Sequence, residues 1–305
     1  MDHKSFLASL SAEQCRDLTE TSDRRGLAHL ALHFGAIALV GTLIVAQVPF
    51  WPVLMLPQGI FLVFLFTLLH EASHQTPFRS PWLNTFVAQI SGFLTLLPPR
   101  WFRYFHFAHH RYTQIPGKDP ELATPKPEGW RQYLVHVSGM PVWISHIGTL
   151  IRNAAGRCED AFVPVGKRRA VRNEARMMLG AYMALLLACL ALRSPVLIYV
   201  WIVPALLGQP FLRLYLLAEH GRCAYVANML ENSRTTFTNA AVRRLAWNMP
   251  YHAEHHAYPT VPFHKLPDLH KLTAEHLKVT EPGYASFHAR YAPQLSGPVQ
   301  TDPAE

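Results

Sequence analysis

Pro52-Val-Leu-Met-Leu-Pro-Gln-Gly-Ile-Phe-Leu-Val-Phe-Leu-Phe-Thr-Leu-Leu69 runs without a charge straight into His70-Glu71-Ala72-Ser73-His74. About 20 apolar residues of helix cross a bilayer, so this stretch reads as a membrane span. Its end carries two imidazoles at i and i+4, on one helix face. A span that ends in paired metal-type ligands sets the expectation for everything around it.

A second apolar run, residues 27–48, precedes it across the uncharged turn Pro49-Phe-Trp-Pro52. Two more, residues 177–192 and 196–218, follow across Arg193-Ser-Pro195. With the span at 52–73 they predict an all-α membrane protein with four transmembrane helices in two hairpins and a cytosolic helical cap. Composition agrees: 50% of residues are hydrophobic and 16% charged, and the apolar residues come in long runs. Residues 1–26 form a polar segment without the n- and h-regions of a cleaved signal. Within it Ser11 and Gln14 suit a capping box that opens an interfacial helix. Residues 27–290 are the membrane domain and 291–305 a flexible tail. Residues 82–97, interrupted by Asn84 and Gln89, read as a re-entrant or interfacial helix, and 135–151 as a surface-lying element.

The net charge of +8 is unevenly placed. Lys4, Arg16, Arg24 and Arg25 precede the first span, and a basic run from Arg100 to Arg176 separates the hairpins. The two connecting turns hold Arg193 alone. By the positive-inside rule both termini and the central region are cytoplasmic. The same charges suit anionic lipid rather than nucleic acid. The scattered cysteines Cys15, Cys158, Cys189 and Cys223 make no CxxC pair and read as free thiols.

Histidine is the informative residue type, with 18 in the chain. His106-Phe-Ala-His109-His110 and His252-Ala-Glu-His255-His256 each put three imidazoles at i, i+3, i+4, within an arc of roughly 100°. With His70 and His74 these clusters fall on the same side of the membrane and build one site. The span at 196–218 delivers Glu219-His220 at its own cytoplasmic end, which makes His220 a ninth candidate. His3, His29, His33, His136, His146, His276 and His288 read as ordinary polar residues. Imidazole alone does not choose between zinc, copper, iron and nickel, but a zinc site needs only three or four ligands. Eight or nine nitrogens suit two redox-active irons. The rival is a zinc-dependent membrane hydrolase using His70-Glu71-x-x-His74 as HExxH, which leaves two HxxHH clusters without a role.

These residues resemble the membrane fatty acid desaturase family, with its hydroxylase relatives. The likeness covers about residues 27–272: His70-Glu-Ala-Ser-His74-Gln-Thr-Pro-Phe-Arg79, then His106-Phe-Ala-His109-His110-Arg-Tyr-Thr113 with Gly117-Lys-Asp-Pro120, then Asn248-Met-Pro-Tyr-His252-Ala-Glu-His255-His256-Ala-Tyr-Pro259. The resemblance implies a cytosol-facing di-iron centre on His70, His74, His106, His109, His110, His220, His252, His255 and His256. With dioxygen and two electrons such a centre strips hydrogens from an unactivated C–H bond. It further implies an asparagine or a water that completes the shell. Asn248 is the candidate, with Glu71 as another residue behind the ligands. Relatives with an NxxxH pattern carry that asparagine where this chain has Leu216, a departure.

The expectation is a dioxygen-dependent desaturase of a fatty acyl or lipid chain, or a hydroxylase or other C–H oxidase on the same centre. No haem, Rieske or flavin fingerprint is present, so electrons come from a separate ferredoxin, cytochrome or reductase. A bacterial inner membrane is favoured over the endoplasmic reticulum. Trp101, Phe102, Tyr104, Phe105 and Phe107 are candidate walls of a substrate slot. Gln58, Gln209 and Arg213, polar and within spans, are functional suspects.

Overall fold

The computed structural model describes residues 1–296, which are predominantly helical. Helices α1 (His3–Ser9) and α2 (Ala12–Leu18) come first, and α2 opens with the expected capping box of Ser11 and Gln14. Helix α3 (Asp23–Val45) starts at Ser22, whose hydroxyl accepts from the Arg25 N–H. Helices α4 (Trp51–Val63) and α5 (Leu65–His74) follow one path, with a break at Phe64, and end in the first histidine pair. Helices α6 (Pro81–Leu94) and α7 (Pro99–Tyr112) each begin on a proline, where the missing N–H would lack an intrahelical partner anyway.

Helices α8 (Trp130–Ser138) and α9 (Met140–Ala154) meet at a 56° bend. Gly139 makes it with φ +70°, and a Cβ there would lie 2.1 Å from Gln209 Cγ. Helix α10 (Arg168–Ala191) is followed by one stretch of π-helix, Ile198–Ile202, and then α11 (Val203–His220). Beyond it lie α12 (Met229–Asn232), α13 (Ala240–Leu245), α14 (His252–Ala257), α15 (Leu266–Thr273) and α16 (Tyr284–Tyr291). Two short parallel strands, β1 (Thr235–Thr236) and β2 (Thr280–Glu281), tie the ends of this segment together.

Among the described residues, four helical stretches are long and apolar enough to cross a membrane: Ala12–Val45, Trp51–His74, Val165–Ala191 and Ile198–His220. The bent α8–α9 pair is a fifth if it counts as one span. The third stretch begins well before residue 177, because no breaker interrupts the polar turns from Arg168 and the helix simply continues through them. Within residues 82–97 the helical part is α6, too short to span, whose Leu83 and Val87 pack on Leu65 and Leu68 of α5.

The two helices of the second pair of spans pack mainly on different neighbours. Helix α10 lies chiefly along α9, whereas α11 packs on α4. The reason is a crossing of small residues. A Cβ on Gly59 would sit 1.8 Å from the Pro204 carbonyl oxygen, and one on Gly208 would sit 2.2 Å from the Gly59 carbonyl carbon. Backbone lies on backbone there, the close approach that small residues permit between membrane helices.

Within the stretch expected as a tail, Tyr291 and Leu295 are buried with Leu217 and Phe287. Residues 297–305, the rest of the expected tail, lie outside the described residues.

Overpacking a tight interior costs about 1–3 kcal/mol, and here the obstacle is backbone that cannot rotate away. Gly59→Ala and Gly208→Ala should therefore lower the unfolding midpoint of the detergent-solubilised protein. Gly148→Ala, where a Cβ meets nothing within 4 Å, should leave it unchanged.

Candidate metal centre

The three clusters come together at the ends of α5, α7 and α14. Ring nitrogens of His70, His74, His106, His110 and His255 all lie within 4.8 Å of one another, as do those of His109, His220 and His256. His252 Nε2 lies 2.9 Å from His220 Nε2, and His109 Nε2 lies 3.2 Å from it on the other side. His110 and His256 stack with ring centroids 4.1 Å apart, which joins the two groups. All nine expected histidines thus form one cluster. The lone histidines stay outside it: His33, for instance, faces the Phe61 carbonyl through Nε2 and accepts from the Trp247 indole at Nδ1.

Each ring in the second group has its outer nitrogen tied down. His109 Nδ1–H donates to Asp119 at 2.9 Å, His220 Nδ1–H to the Asn232 carbonyl at 3.0 Å, and His256 Nδ1–H to the Thr113 hydroxyl at 3.1 Å. Such anchors fix the tautomer and leave Nε2 free to ligate. Behind two of the remaining rings stand carboxylates at longer range. Glu219 lies 3.4 Å from His252 Nδ1 and Glu71 lies 3.7 Å from His255 Nδ1.

Other ring nitrogens lack partners altogether. Both ring nitrogens of His70, His110 and His255, and Nε2 of His256, are buried without a hydrogen-bond partner. Buried polar groups are nearly always paired, so several orphans gathered in one cluster fit a cation that accepts their lone pairs. Burial, reinforced by neighbouring imidazoles for most of them, holds His106, His110, His252, His255 and His256 well below the ordinary imidazole pKa. They are neutral at pH 7, the form that binds metal. Burial works the same way on His109, but Glu121 and Asp119 outweigh it and raise its pKa.

Sequence reasoning missed Asp119 and Glu121. Asp119 also accepts from the Gln114 and Glu121 N–H groups, and Glu121 lies 3.4 Å from His109 Nε2 while paired with Lys126. Their signal was the Asp-Pro-Glu run shortly after the second cluster. Asn248 is placed elsewhere: its side chain donates to the Phe263 carbonyl, and Phe263 N–H donates to Glu71. Its backbone is left-handed (φ +58°), which turns the side chain to that loop rather than to the histidines. Glu71 is fully buried and accepts from Thr76 and Phe263. Glu254 is likewise buried, clamped by Thr235 and His270 away from the cluster.

A cavity of about 540 Å³ opens onto His70, His106, His109 and His252. Phe66, Leu97, Trp101, Phe102, Phe105 and Leu216 give it apolar walls. Tyr104 and Phe107 are not on it: Tyr104 packs near Cys158 and Phe107 stands beside His74. His136 and His146, set aside in the sequence as ordinary, do line it.

Sequence comparison meets this geometry. A model of the fatty acid desaturase family matches residues 26–288. The chain belongs to the fatty acid desaturase family. It is 26% identical over 291 residues to a dihydrorhizobitoxine desaturase of Bradyrhizobium elkanii, covering 87% of this chain and 78% of that protein. It is 30% identical over 92 residues to a fatty acid conjugase of Calendula officinalis, covering 30% of this chain and 24% of that one. The family and the desaturase relative support an oxidoreductase with apolar, membrane-type helices.

Loss of a group that orients a metal-binding histidine typically costs 10–100-fold in metal affinity. Asp119→Ala should cost about that much in metal retained against a chelator, with Asp119→Asn, which keeps an acceptor for His109, losing less.

Proposed function

We propose that this protein is a membrane-bound, dioxygen-dependent desaturase whose nine clustered histidines hold two iron ions. The observation that carries the reading is the set of buried, unpaired ring nitrogens in two adjoining groups at the end of an apolar cavity. His70, His74, His106, His110 and His255 would hold one ion. His109, His220, His252 and His256 would hold the other, with Glu121 close by. Bound there, the metal pair supplies what side chains cannot, oxidation of an unactivated C–H bond with dioxygen.

The chain's own part is placement and exclusion. Asp119, Thr113 and the Asn232 carbonyl keep three imidazoles aimed inward. Phe66, Trp101, Phe102 and Phe105 provide a dry wall along which an alkyl segment can lie against the histidines. The basic balance before and between the spans supports an orientation with the site on the cytoplasmic face, in a bacterial inner membrane, reached by an external ferredoxin, cytochrome or reductase. The substrate class is a fatty acyl or lipid chain.

A zinc hydrolase built on His70-Glu71-x-x-His74 is disfavoured by Glu71 itself. A hydrolytic base must face the substrate space, whereas this carboxylate is held by Thr76 and Phe263 N–H and borders the back of His255.

Elemental analysis of the purified full-length protein should find about two irons per chain. His110→Ala and His255→Ala should lower that content and abolish desaturation of cellular lipids or metabolites read by mass spectrometry. His276→Ala, on a residue that packs against Phe6, should keep both irons. One zinc and no iron would overturn the assignment.

A further inference from the structure

Of the polar side chains within the apolar spans, the sequence singled out Gln58, Gln209 and Arg213, and two of these have local work. Gln58 Nε2 donates to the Val200 carbonyl at 3.1 Å. Gln209 packs its side chain into the bend at Gly139. The third, Arg213, lines the cavity that reaches the histidines. Its Nε is buried without a hydrogen-bond partner, and among the described residues no carboxylate lies within ion-pair distance of it. The two carboxylates on the cavity wall lie beyond ion-pair distance of it: Glu121 is paired with Lys126, and Glu219 stands beside the neutral imidazole of His252.

A guanidinium whose Nε is shut off from water with no ion pair is costly, and such a group within a membrane segment marks a functional site by default. Arg213 precedes His220 by seven residues on α11, which is about 10 Å along the helix axis at 1.5 Å per residue. The cavity therefore has a cation at one level, apolar walls, and histidines at another. Its volume is in the range that encloses a whole small ligand.

We infer that the substrate carries an anionic head which pairs with Arg213 inside the cavity, so that its alkyl segment is laid against the histidines from a fixed end. Resting on the oxidative reading above, this inference names the substrate class as an anionic single-chain amphiphile, carboxylate or phosphate, enclosed with its head rather than threaded in from a headgroup left outside. The planar guanidinium fork suits either anion.

Calorimetric titration of the full-length protein in lipid nanodiscs, corrected for partition into empty nanodiscs, tests this with dodecanoate, dodecyl phosphate and dodecanol. At least one of the two anions should bind tenfold or more tightly than dodecanol, and the tighter one identifies the head. Arg213→Gln should erase that preference while still binding dodecanol, which reports an intact cavity. Arg213→Lys should keep part of the preference, and it decides the matter should Arg213→Gln not fold. Equal binding of anion and alcohol by the unaltered protein, or an undiminished preference in Arg213→Gln, would overturn the inference. Iron measured on the same samples is a separate readout: its absence counts against the di-iron reading and leaves the anion preference standing.

Discussion

At Gly59 and Gly208 two helix backbones touch, and the position of the histidines depends on that contact. From Gly59 to His70 is eleven residues and from Gly208 to His220 is twelve, so the two arms measure roughly 16 and 18 Å of helix. Equal arms from one crossing bring the first histidine cluster and His220 to the same level. A side chain at either glycine would push α11 away from α4 and carry His220, with Arg213, out of register with the α5 and α7 histidines.

Once the level is set, orientation decides whether nine imidazoles are a centre or merely a crowd. An imidazole presents one nitrogen to a metal when the other is held. Asp119 and Thr113 come from the loop after α7, and the Asn232 carbonyl from α12, at the end of the connection that follows α11. Gln114, in a left-handed turn, reaches the His220 carbonyl with its side chain and Asp119 with its N–H. The loops after α7 and α11 are thus part of the site's rigidity, although they supply no histidine.

The clusters were legible in the sequence because helical periodicity alone puts i, i+3 and i+4 on one face, and charge asymmetry put all three faces on one side. His220 was legible for a related reason, since it ends a span. What periodicity cannot convey is where a chain goes after a turn. Asp119 and Glu121 return to His109 only because residues 113–119 double back. Asn248, adjacent in sequence to the third cluster, is turned from it by a left-handed backbone. His136 and His146 looked solitary because a 56° bend at Gly139, invisible in composition, is what wraps α8 and α9 around the cavity. The pairing of α11 with α4 instead of α10 was hidden likewise, since hydropathy marks spans but not neighbours.

Charge supplies the remaining constraint. A shell of neutral imidazoles adds no negative charge, so a cation held by it keeps its full charge, and compensation must come from outside the shell. Glu71, Asp119, Glu121 and Glu219 stand at that distance, each beside a histidine rather than inside the cluster. Lys126 offsets one of them. Arg213 has no ion-pair partner among the described residues and lies on the cavity wall. On the proposed reading, the carboxylates would answer the charge of a bound metal, whereas Arg213 would answer the charge of whatever fills the cavity.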